Sequence, residues 1–442
     1  MTKVITYGTY DLLHYGHIKL LERAKALGDY LIVGITADGF DRTRGKINVQ
    51  QSLIERIEAV RATGIADKII VEEYEGQKID DICRYGIDIF TVGSDWVGKF
   101  DYLNEYCRVV YLPRTEGISS SDLRSEEGHI RLGLVGSSSF LNKVEEESHF
   151  VNGLETIGVC ATSMDFFHEN ILHLPITTNN YTELLDKVDA VFIKAKPKEH
   201  FKLVKAALTR GKHVLCETPI AMSEVEWQEL IDLAKKKELV LLDGIKTAYA
   251  TAYTRLWLLI KSDRIGQVVS VDATCTSLQH FDDLEGRWDP IFEWGPTALL
   301  PVFQILGTNY LEKHVCSRFS DEALTHDLFT KMDFIYPDAV ASIKVGNGVK
   351  SEGELIVSGT KGYIYVPAPW WNTDYFEIRY ENPAENKRYF YQLDGEGIRY
   401  ELLCFLQSIN KRMGYAYVDR NTSKAICKEM GEFSRRENIV II

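Results

Sequence analysis

The stretch Tyr7-Gly8-Thr9-Tyr10-Asp11-Leu12-Leu13-His14-Tyr15-Gly16-His17 decides how the chain begins to fold. It follows a short apolar run at Val4–Tyr7 that is typical of a buried strand, and it leads into a helical pattern at Gly16–Leu27. A second apolar run follows at Tyr30–Ile35. This order predicts a strand–helix–strand unit with parallel strands at the start of the chain.

The turn between that strand and that helix has the composition of an anion site. Gly8 and Thr9 stand where backbone N–H groups and the positive end of a helix dipole face a ligand. His14 and His17 are three residues apart, which places both rings on one helix face, and Gly16 between them lets a ligand approach the backbone. The pattern indicates a phosphate site, with a helix cap or a core histidine pair as the alternative.

A second polar set lies further along the chain. Lys46 belongs to a basic loop at residues 42–46, and Arg114, Thr115 and Ser119 belong to a basic, hydroxyl-rich turn that opens another helix. These segments predict the second half of a phosphate cradle. Their presence favours the phosphate interpretation of the histidine pair.

Strands and helices continue to alternate up to about residue 112. The remaining predicted elements of this part are a helix at Gln51–Thr63, a strand at Lys68–Val71, a helix at Lys78–Tyr85, and strands at Ile87–Val92 and Arg108–Leu112. The hydroxyl-rich and charged residues 119–128 predict a linker. We therefore expect a first α/β domain at residues 1–128.

A second α/β series begins with a strand at Ile130–Val135 and a Gly-Ser turn, and it predicts another doubly wound sheet at residues 129–250. The pattern then changes to the alternation of a mostly antiparallel sheet. Its predicted strands are Val268–Ala273, Leu328–Tyr336, Val340–Val345, Glu354–Ser358, Tyr363–Val366 and Tyr375–Tyr380, with a closing helix at Tyr400–Met413. We expect an α+β domain at residues 251–442, in a chain of the α/β class.

Composition limits the functions that the chain can have. The 442 residues carry a formal net charge of −13, which argues against broad binding to nucleic acid or to an anionic membrane. We find no apolar run near the roughly 20 residues of a membrane span and no signal peptide, so we expect a cytosolic protein. The eight cysteines are scattered without metal-ligand spacing and are expected to be core thiols.

Residues 1–126 resemble the glycerol-3-phosphate cytidylyltransferases. The resemblance rests on three separate stretches, Tyr7–His17, Gly93–Asp101 and Tyr111–Ser119. It implies a Rossmann-like nucleotidyltransferase fold and transfer of CMP from CTP to a small polyol phosphate. Pyrophosphate would leave without a covalent enzyme intermediate, so the protein would position groups and stabilise charge.

The same resemblance implies roles for individual residues. His14 and His17 would donate to the α- and β-phosphate oxygens. The residues that would neutralise the triphosphate and the departing pyrophosphate are Lys46, Arg114, Thr115 and Ser119. The CTP pocket would also include Gly8, Thr9, Tyr10, Asp11, Gly16 and Asp95. Asp11 and Asp95 would serve a magnesium ion, the base or the acceptor, and the Mg²⁺ ligands stay open. Arg56 matches the family too, with a structural ion pair as the alternative.

Residues 130–442 resemble the glucose-fructose oxidoreductase and inositol dehydrogenase family. The stretches Ala190–Pro197, Ala206–Pro219 and Ser262–Gln267 carry this resemblance. It implies a dinucleotide-binding Rossmann domain before the antiparallel sheet. The family's catalytic Glu-Lys-Pro is Glu217-Thr218-Pro219 here, and Glu293-Trp294-Gly295-Pro296-Thr297 lacks the family's histidine.

The cofactor site departs from the family pattern as well. The phosphate loop keeps Gly136 and Ser137 but has Ser138 where a second glycine is common. Thr162 and Ser163 stand where a carboxylate would grip a ribose hydroxyl, which favours NADP(H) over NAD(H), or no dinucleotide. Lys196 and Glu217 would border the cofactor.

A displaced lysine could replace the missing proton donor of this family. The candidates are Lys194, Lys196 and Lys246, of which Lys246 is our candidate for the reductase acid; solvated surface charge is the alternative for all three.

Three functional hypotheses follow. The first is a two-step enzyme that reduces a keto-sugar phosphate and couples the polyol phosphate to CMP. The second is a transferase with a degenerate oxidoreductase-like scaffold. The third, a nucleotide-sensing module, is disfavoured because the first domain keeps every needed group.

Both families imply a dimer or larger homo-oligomer. Glycerol-3-phosphate or a longer alditol phosphate is the expected acceptor, and synthesis of a bacterial capsule or other surface polymer the expected setting.

Overall fold

The computed structural model describes residues 1–37, 49, 51–74, 76–113, 129–278, 289–320, 324, 326–391, 393–411 and 417–442, without the side chains of Asp95 and Lys411. Within these residues the chain divides into two units, Met1–His129 and Ile130–Ile442. The predicted linker at residues 119–128 lies outside the described residues. None of the described helices is both long and apolar enough to cross a membrane.

The first unit is built on a five-stranded parallel sheet in the order β3-β2-β1-β4-β5. Its strands are β1 (Lys3–Gly8), β2 (Tyr30–Thr36), β3 (Lys68–Glu72), β4 (Ile89–Gly93) and β5 (Arg108–Leu112). Its helices are α1 (Tyr15–Lys25), α2 (Leu53–Ala62) and α3 (Gln77–Tyr85).

Alternate residues of the central strand cover the two faces of this sheet. Val4 packs in one buried cluster with Leu21 of α1 and Val60 of α2. Ile5 packs in the other with Ile82 of α3. Because apolar residues lie on both faces, helices must cover both, and the predicted doubly wound fold is confirmed.

The second unit begins with a six-stranded parallel sheet in the order β11-β10-β9-β6-β7-β8. Its strands are β6 (Ile130–Val135), β7 (Leu154–Cys160), β8 (Ile176–Thr178), β9 (Ala190–Ile193), β10 (His213–Glu217) and β11 (Leu241–Gly244). Its helices are α4 (Phe140–Ser148), α5 (Glu169–Leu172), α6 (Tyr181–Lys187), α7 (Pro197–Thr209) and α8 (Glu224–Lys236). Leu184, Val204 and Leu230 seal one face of the sheet.

A nine-stranded sheet completes the second unit, in the order β19-β18-β17-β16-β12-β15-β14-β13-β20. Its strands are β12 (Val268–Thr276), β13 (Glu312–Phe319), β14 (Asp327–Ile335), β15 (Val340–Gly346), β16 (Leu355–Gly359), β17 (Tyr363–Val366), β18 (Tyr375–Arg379), β19 (Lys387–Phe390) and β20 (Ile439–Ile441). The helices are α9 (Lys246–Tyr249), α10 (Thr251–Lys261), α11 (Pro290–Leu306), α12 (Ile398–Lys411) and α13 (Arg420–Ser434). Two pairs are parallel, β12 with β15 and β13 with β20, and the others are antiparallel. The predicted mostly antiparallel sheet is thus confirmed.

Candidate functional site

The turn after β1 brings the two predicted imidazoles together. Tyr10 and Leu12 adopt left-handed backbone with φ of 54° and 47°, which turns the chain sharply before α1. His14 caps α1, since its Nδ1 accepts a hydrogen bond of 3.1 Å from the Gly16 N–H. The His14 and His17 rings stack with centroids 3.9 Å apart, and the buried Tyr10 ring meets the His17 ring edge-on at 5.5 Å.

A fully buried arginine holds this turn from behind. The Arg56 guanidinium donates to the carbonyl oxygens of Thr9 at 2.7 Å and Thr36 at 2.9 Å, and its Nε donates to the Gln51 carbonyl at 3.2 Å. Glu55, its neighbour, closes a capping box with Ser52 at the start of α2. Arg56 therefore connects the ends of β1 and β2 with the start of α2.

Asp11 and Gln51 lock the same turn. The buried Asp11 carboxylate accepts from the Gln51 N–H at 2.9 Å, and the Leu12 N–H donates to Gln51 Oε1 at 2.7 Å. These bonds give Asp11 a positioning role within the turn. Within the described ranges no group of three His, Cys, Asp or Glu side chains could hold a metal ion, and the Mg²⁺ ligands stay a prediction.

The second half of the predicted cradle cannot be placed. Lys46, Arg114, Thr115 and Ser119 all lie outside the described residues. Asp95 lies in a 3₁₀ turn at Ser94–Trp96, directly after β4, and its side chain is not described. Their convergence with the histidine pair stays a prediction.

A buried polar cluster beneath the turn was missed by sequence reasoning. The Tyr7 hydroxyl donates to Asp81 at 2.8 Å, and Lys78 pairs with Glu72 while its Nζ lies 4.7 Å from the Tyr7 ring centroid. Burial, and then the Asp81 charge, raise the pKa of Tyr7. The sequence pattern identifies Tyr7 and Glu72 only as strand residues. Their pairing with Asp81 and Lys78 depends on how α3 lies on the sheet.

The second unit has a cleft of about 340 Å³ at the carboxyl ends of its parallel strands. Ser138, Glu217 and Lys246 of the predicted set line it. Lys196 is exposed at the N-cap of α7 and is not among the residues that line this cleft.

Lys194 lies deepest among the candidate lysines. Its side chain is 7% exposed, and its Nζ lies 3.8 Å from Glu217 Oε2 and 3.5 Å from Glu293 Oε1. Burial acts to lower the pKa of Lys194, but the two carboxylates outweigh it and raise the pKa above its usual value. The ammonium thus stays protonated at neutral pH.

Lys246 lies nearer the mouth of the cleft. Its ammonium pairs with Glu396, which also pairs with Lys143 at 2.6 Å. Its side chain is 21% exposed, three times the exposure of Lys194.

Thr218, which replaces the motif lysine, turns away from solvent. Its hydroxyl donates to the buried Asp243 at 3.4 Å, and Ser423 donates to the same oxygen at 2.8 Å. Burial raises the pKa of Asp243 to about 6. Behind Glu217 lies Glu401, fully buried on α12, and burial and the Glu217 charge raise its pKa. No pattern in the sequence marked Asp243 or Glu401.

The predicted cofactor loop has the geometry of a dinucleotide turn. Gly136 has a φ of 126°, and a Cβ there would lie 1.9 Å from the Lys194 carbonyl oxygen, so only glycine fits. Ser137 Oγ accepts from the N–H groups of Thr162 at 3.1 Å and Ser163 at 3.2 Å, which joins the loops after β6 and β7. The Ser163 hydroxyl donates to Asp165 at 2.8 Å, placing a carboxylate beside the residues predicted to meet the ribose. These residues fit a dinucleotide.

Comparison with known proteins finds a matching family model for the parallel-sheet region of each unit. A family model described as Cytidylyltransferase-like matches residues 5–126, and one described as Oxidoreductase family, NAD-binding Rossmann fold, matches residues 130–244. The first region is 51% identical over 126 residues to glycerol-3-phosphate cytidylyltransferase of Bacillus spizizenii, covering 28% of this chain and 97% of that protein. It is 46% identical over 131 residues to the Staphylococcus aureus enzyme of the same name, covering 28% of this chain and 95% of that protein.

The second unit is similar in fold to a 3-ketoreductase from Actinomadura kijaniata, solved in complex with NADP and TDP-benzene. The TM-score is 0.61 at 14% sequence identity, covering 71% of this chain and 100% of that chain. Both resemblances predicted from the sequence are confirmed by these comparisons.

Proposed function

Because the chain belongs to the cytidylyltransferase-like family through residues 5–126 and carries an oxidoreductase-family NAD-binding domain at residues 130–244, we propose that it reduces a keto-sugar phosphate and transfers CMP to the resulting polyol phosphate. The stacked His14 and His17 rings at the start of α1, with centroids 3.9 Å apart, carry the transferase half of the proposal.

The transfer step is an in-line displacement. A phosphate oxygen of the acceptor bonds to the α-phosphorus of CTP, the bond from that phosphorus to the β-phosphate's bridging oxygen breaks, and pyrophosphate leaves with the electron pair. His14 Nδ1 already accepts from the Gly16 N–H, so in the neutral ring Nε2 carries the proton and is the donor toward phosphate. His17, stacked on the same ring, would donate to the adjacent phosphate group.

We expect His17→Ala to lower CTP-dependent pyrophosphate release by about 10²–10³-fold, as when one preorganised donor is removed. The measurement is pyrophosphate release from CTP with glycerol 3-phosphate and longer alditol phosphates as acceptors. His129→Ala, an exposed histidine of the same unit, is the matched control. Near-normal release by His17→Ala, with the fold intact, would contradict the proposed role.

The second unit would supply the polyol phosphate. A nicotinamide dinucleotide held by the Gly136, Ser137 and Ser138 loop would supply hydride to a carbonyl carbon. We propose that Lys194 Nζ gives the proton to the carbonyl oxygen, because the two carboxylates beside Lys194 keep it charged and it lines the cleft. Lys246 is the second candidate, since it lines the same cleft. Whether NADP or NAD serves depends on Thr162, Ser163 and the neighbouring Asp165.

Lys194→Met should abolish ketose-phosphate-dependent loss of NADPH absorbance, while NADPH binding followed by its fluorescence persists. Lys246→Met should retain measurable reduction, on the order of a tenth of the wild-type rate. CMP transfer to a supplied alditol phosphate is the internal control and should not change in either variant. The opposite ranking of the two variants would assign the proton to Lys246.

A second candidate function is a transferase whose oxidoreductase-like unit only binds or scaffolds. It is favoured by Thr218, which stands at the position of the motif lysine and bonds to Asp243. Absence of any fluorescence change on titrating NADPH or NADH into the full chain would support it.

A further inference from the structure

The cleft of the second unit has two chemically different walls. The charged wall is formed by Lys194 and Glu217, at the ends of parallel strands, and by Glu293 of α11. The aromatic wall presents two indole rings, Trp294 and Trp371, with centroids 4.8 Å apart and planes at 59°.

The aromatic wall is held rigidly. The neighbouring Trp370 is buried, and its indole N–H donates to the Thr274 carbonyl of β12 at 3.2 Å. The Trp371 carbonyl accepts from the Thr247 hydroxyl at 3.1 Å. The short 3₁₀ helix that carries both tryptophans is thus tied to the large sheet and to α9.

Asn347 lies in this same cleft, directly after β15. Its residue is 6% exposed, and among the described residues its Oδ1 accepts no hydrogen bond. The next residue, Gly348, is fixed by a bridge to Leu278 and by an N–H bond of 3.1 Å to the Leu328 carbonyl. A buried acceptor without a donor is destabilising, so its presence calls for an explanation such as a ligand that donates to it.

We propose that Asn347 and Trp371 select a polyhydroxylated substrate, with Asn347 Oδ1 accepting a hydrogen bond from a substrate hydroxyl and the C–H face of the carbon chain lying on the indole of Trp371. An indole face offers apolar contact to C–H groups, and an amide oxygen accepts only from a donor. The charged wall of the same cleft then meets the carbonyl. The inference rests on the proposed function for the reaction, and it adds the residues that recognise the rest of the substrate.

The first test is equilibrium binding, which needs no turnover. Alditols and alditol phosphates of three to six carbons are titrated into the NADP-supplied full chain, and binding is followed by calorimetry. Asn347→Leu should weaken binding by about 10- to 100-fold, because one substrate hydroxyl loses its acceptor. Asn179→Leu, an exposed asparagine before α6, is the matched control and should bind as the wild type does.

Trp371 is tested with a conservative pair. Trp371→Leu should weaken binding by about three- to tenfold, whereas Trp371→Phe, which keeps an aromatic face, should restore most of it. A structural role would make both variants lose thermal stability in proportion to binding.

Discrimination is the decisive readout. Wild type should bind an alditol more tightly than at least one of its monodeoxy analogues, and Asn347→Leu should bind the two equally. Unchanged discrimination in Asn347→Leu, or no alditol binding by the wild type, would overturn the inference. Alditol binding without any NADPH oxidation would leave the inference standing and refute the reduction step instead.

Discussion

Arg56 is the residue on which the geometry of the histidine turn depends most. It is fully buried, and its guanidinium reaches three backbone carbonyls that belong to three segments. Only a planar, multiply donating cation can reach all of them at once. Its effect on the His14 and His17 rings is therefore indirect, through the backbone of the turn.

We expect Arg56→Met to destabilise the first unit by on the order of 3 kcal/mol, since it leaves buried carbonyls unpaired. Arg56→Lys should recover part of the stability and still lower kcat/KM for CTP by about tenfold. A lysine ammonium is a point charge and cannot replace the planar set of N–H donors of the guanidinium. Thermal unfolding and pyrophosphate release measure the two effects. Arg61→Met, on the exposed face of the same helix, is the control; a stable and fully active Arg56→Lys would contradict the positioning role.

Residues in one local motif were the most predictable. The spacing of His14 and His17 predicts that their rings lie on one helix face, and the described turn places the two rings in contact. Asn347 and Glu401 could not be found in this way, because their surroundings come from segments far apart in sequence. Ranking Lys194 over Lys246 likewise required the packing of β9 against β10 and α11, which no local pattern encodes.

At the scale of elements, the periodicity and length of the apolar patterns predicted the regular parts of the fold. Strand β17 has the predicted bounds, and β5 and β6 do as well. The helix α11 was not predicted, since Pro296 and Pro301 lie inside it and its residues are apolar on nearly all sides. Prolines normally end helices, and a helix buried all round shows no amphipathic period. Packing against β12 and β15 stabilises it instead.

Asp327, at the start of β14, is a buried carboxylate next to the start of α11 that should make stability depend on pH. Asp327 accepts from the Ile291 N–H at 3.4 Å and from the Thr330 hydroxyl at 3.2 Å. Burial, and then the Asp289 charge, raise the pKa of Asp327 to about 7. A raised pKa means that the folded state holds the proton more tightly, so this stabilisation is complete below the unfolded-state pKa and is lost as the pH rises through 7.

Asp327→Asn removes that dependence while keeping the side-chain shape and one acceptor oxygen for the Ile291 N–H. The variant should gain stability over the wild type by on the order of 1 kcal/mol per pH unit between pH 5 and pH 7, and the difference should then level off. Urea unfolding of the full chain across this range measures it. Asp338→Asn, an exposed carboxylate in the turn between β14 and β15, should show a flat difference. A flat profile for Asp327→Asn would mean that Asp327 is ionised throughout.

At the scale of the whole molecule, the two parallel sheets were predictable because each rests on repeated strand–helix alternation, and the two families were predictable from stretches that resemble them. Each unit also has its own sheet with its own buried clusters. The match to the Bacillus spizizenii enzyme covers 97% of that protein with 28% of this chain, so a protein of about this unit's length exists by itself in that relative. These facts favour independent folding of the two units.

We therefore expect residues 1–129 and residues 130–442, produced as separate chains, to keep their activities to within about twofold. The first fragment retains Arg114, Thr115 and Ser119, which are predicted to contact CTP. Ketose phosphate, NADPH and CTP are supplied to the full chain and to an equimolar mixture of fragments, and CDP-polyol is measured over time. If the intermediate diffuses freely, both samples show the same lag, because the polyol phosphate must first accumulate in solution. A lag present only in the mixture would show that fusion delivers the intermediate from one unit to the other, and an inactive fragment would show that the units need each other to fold.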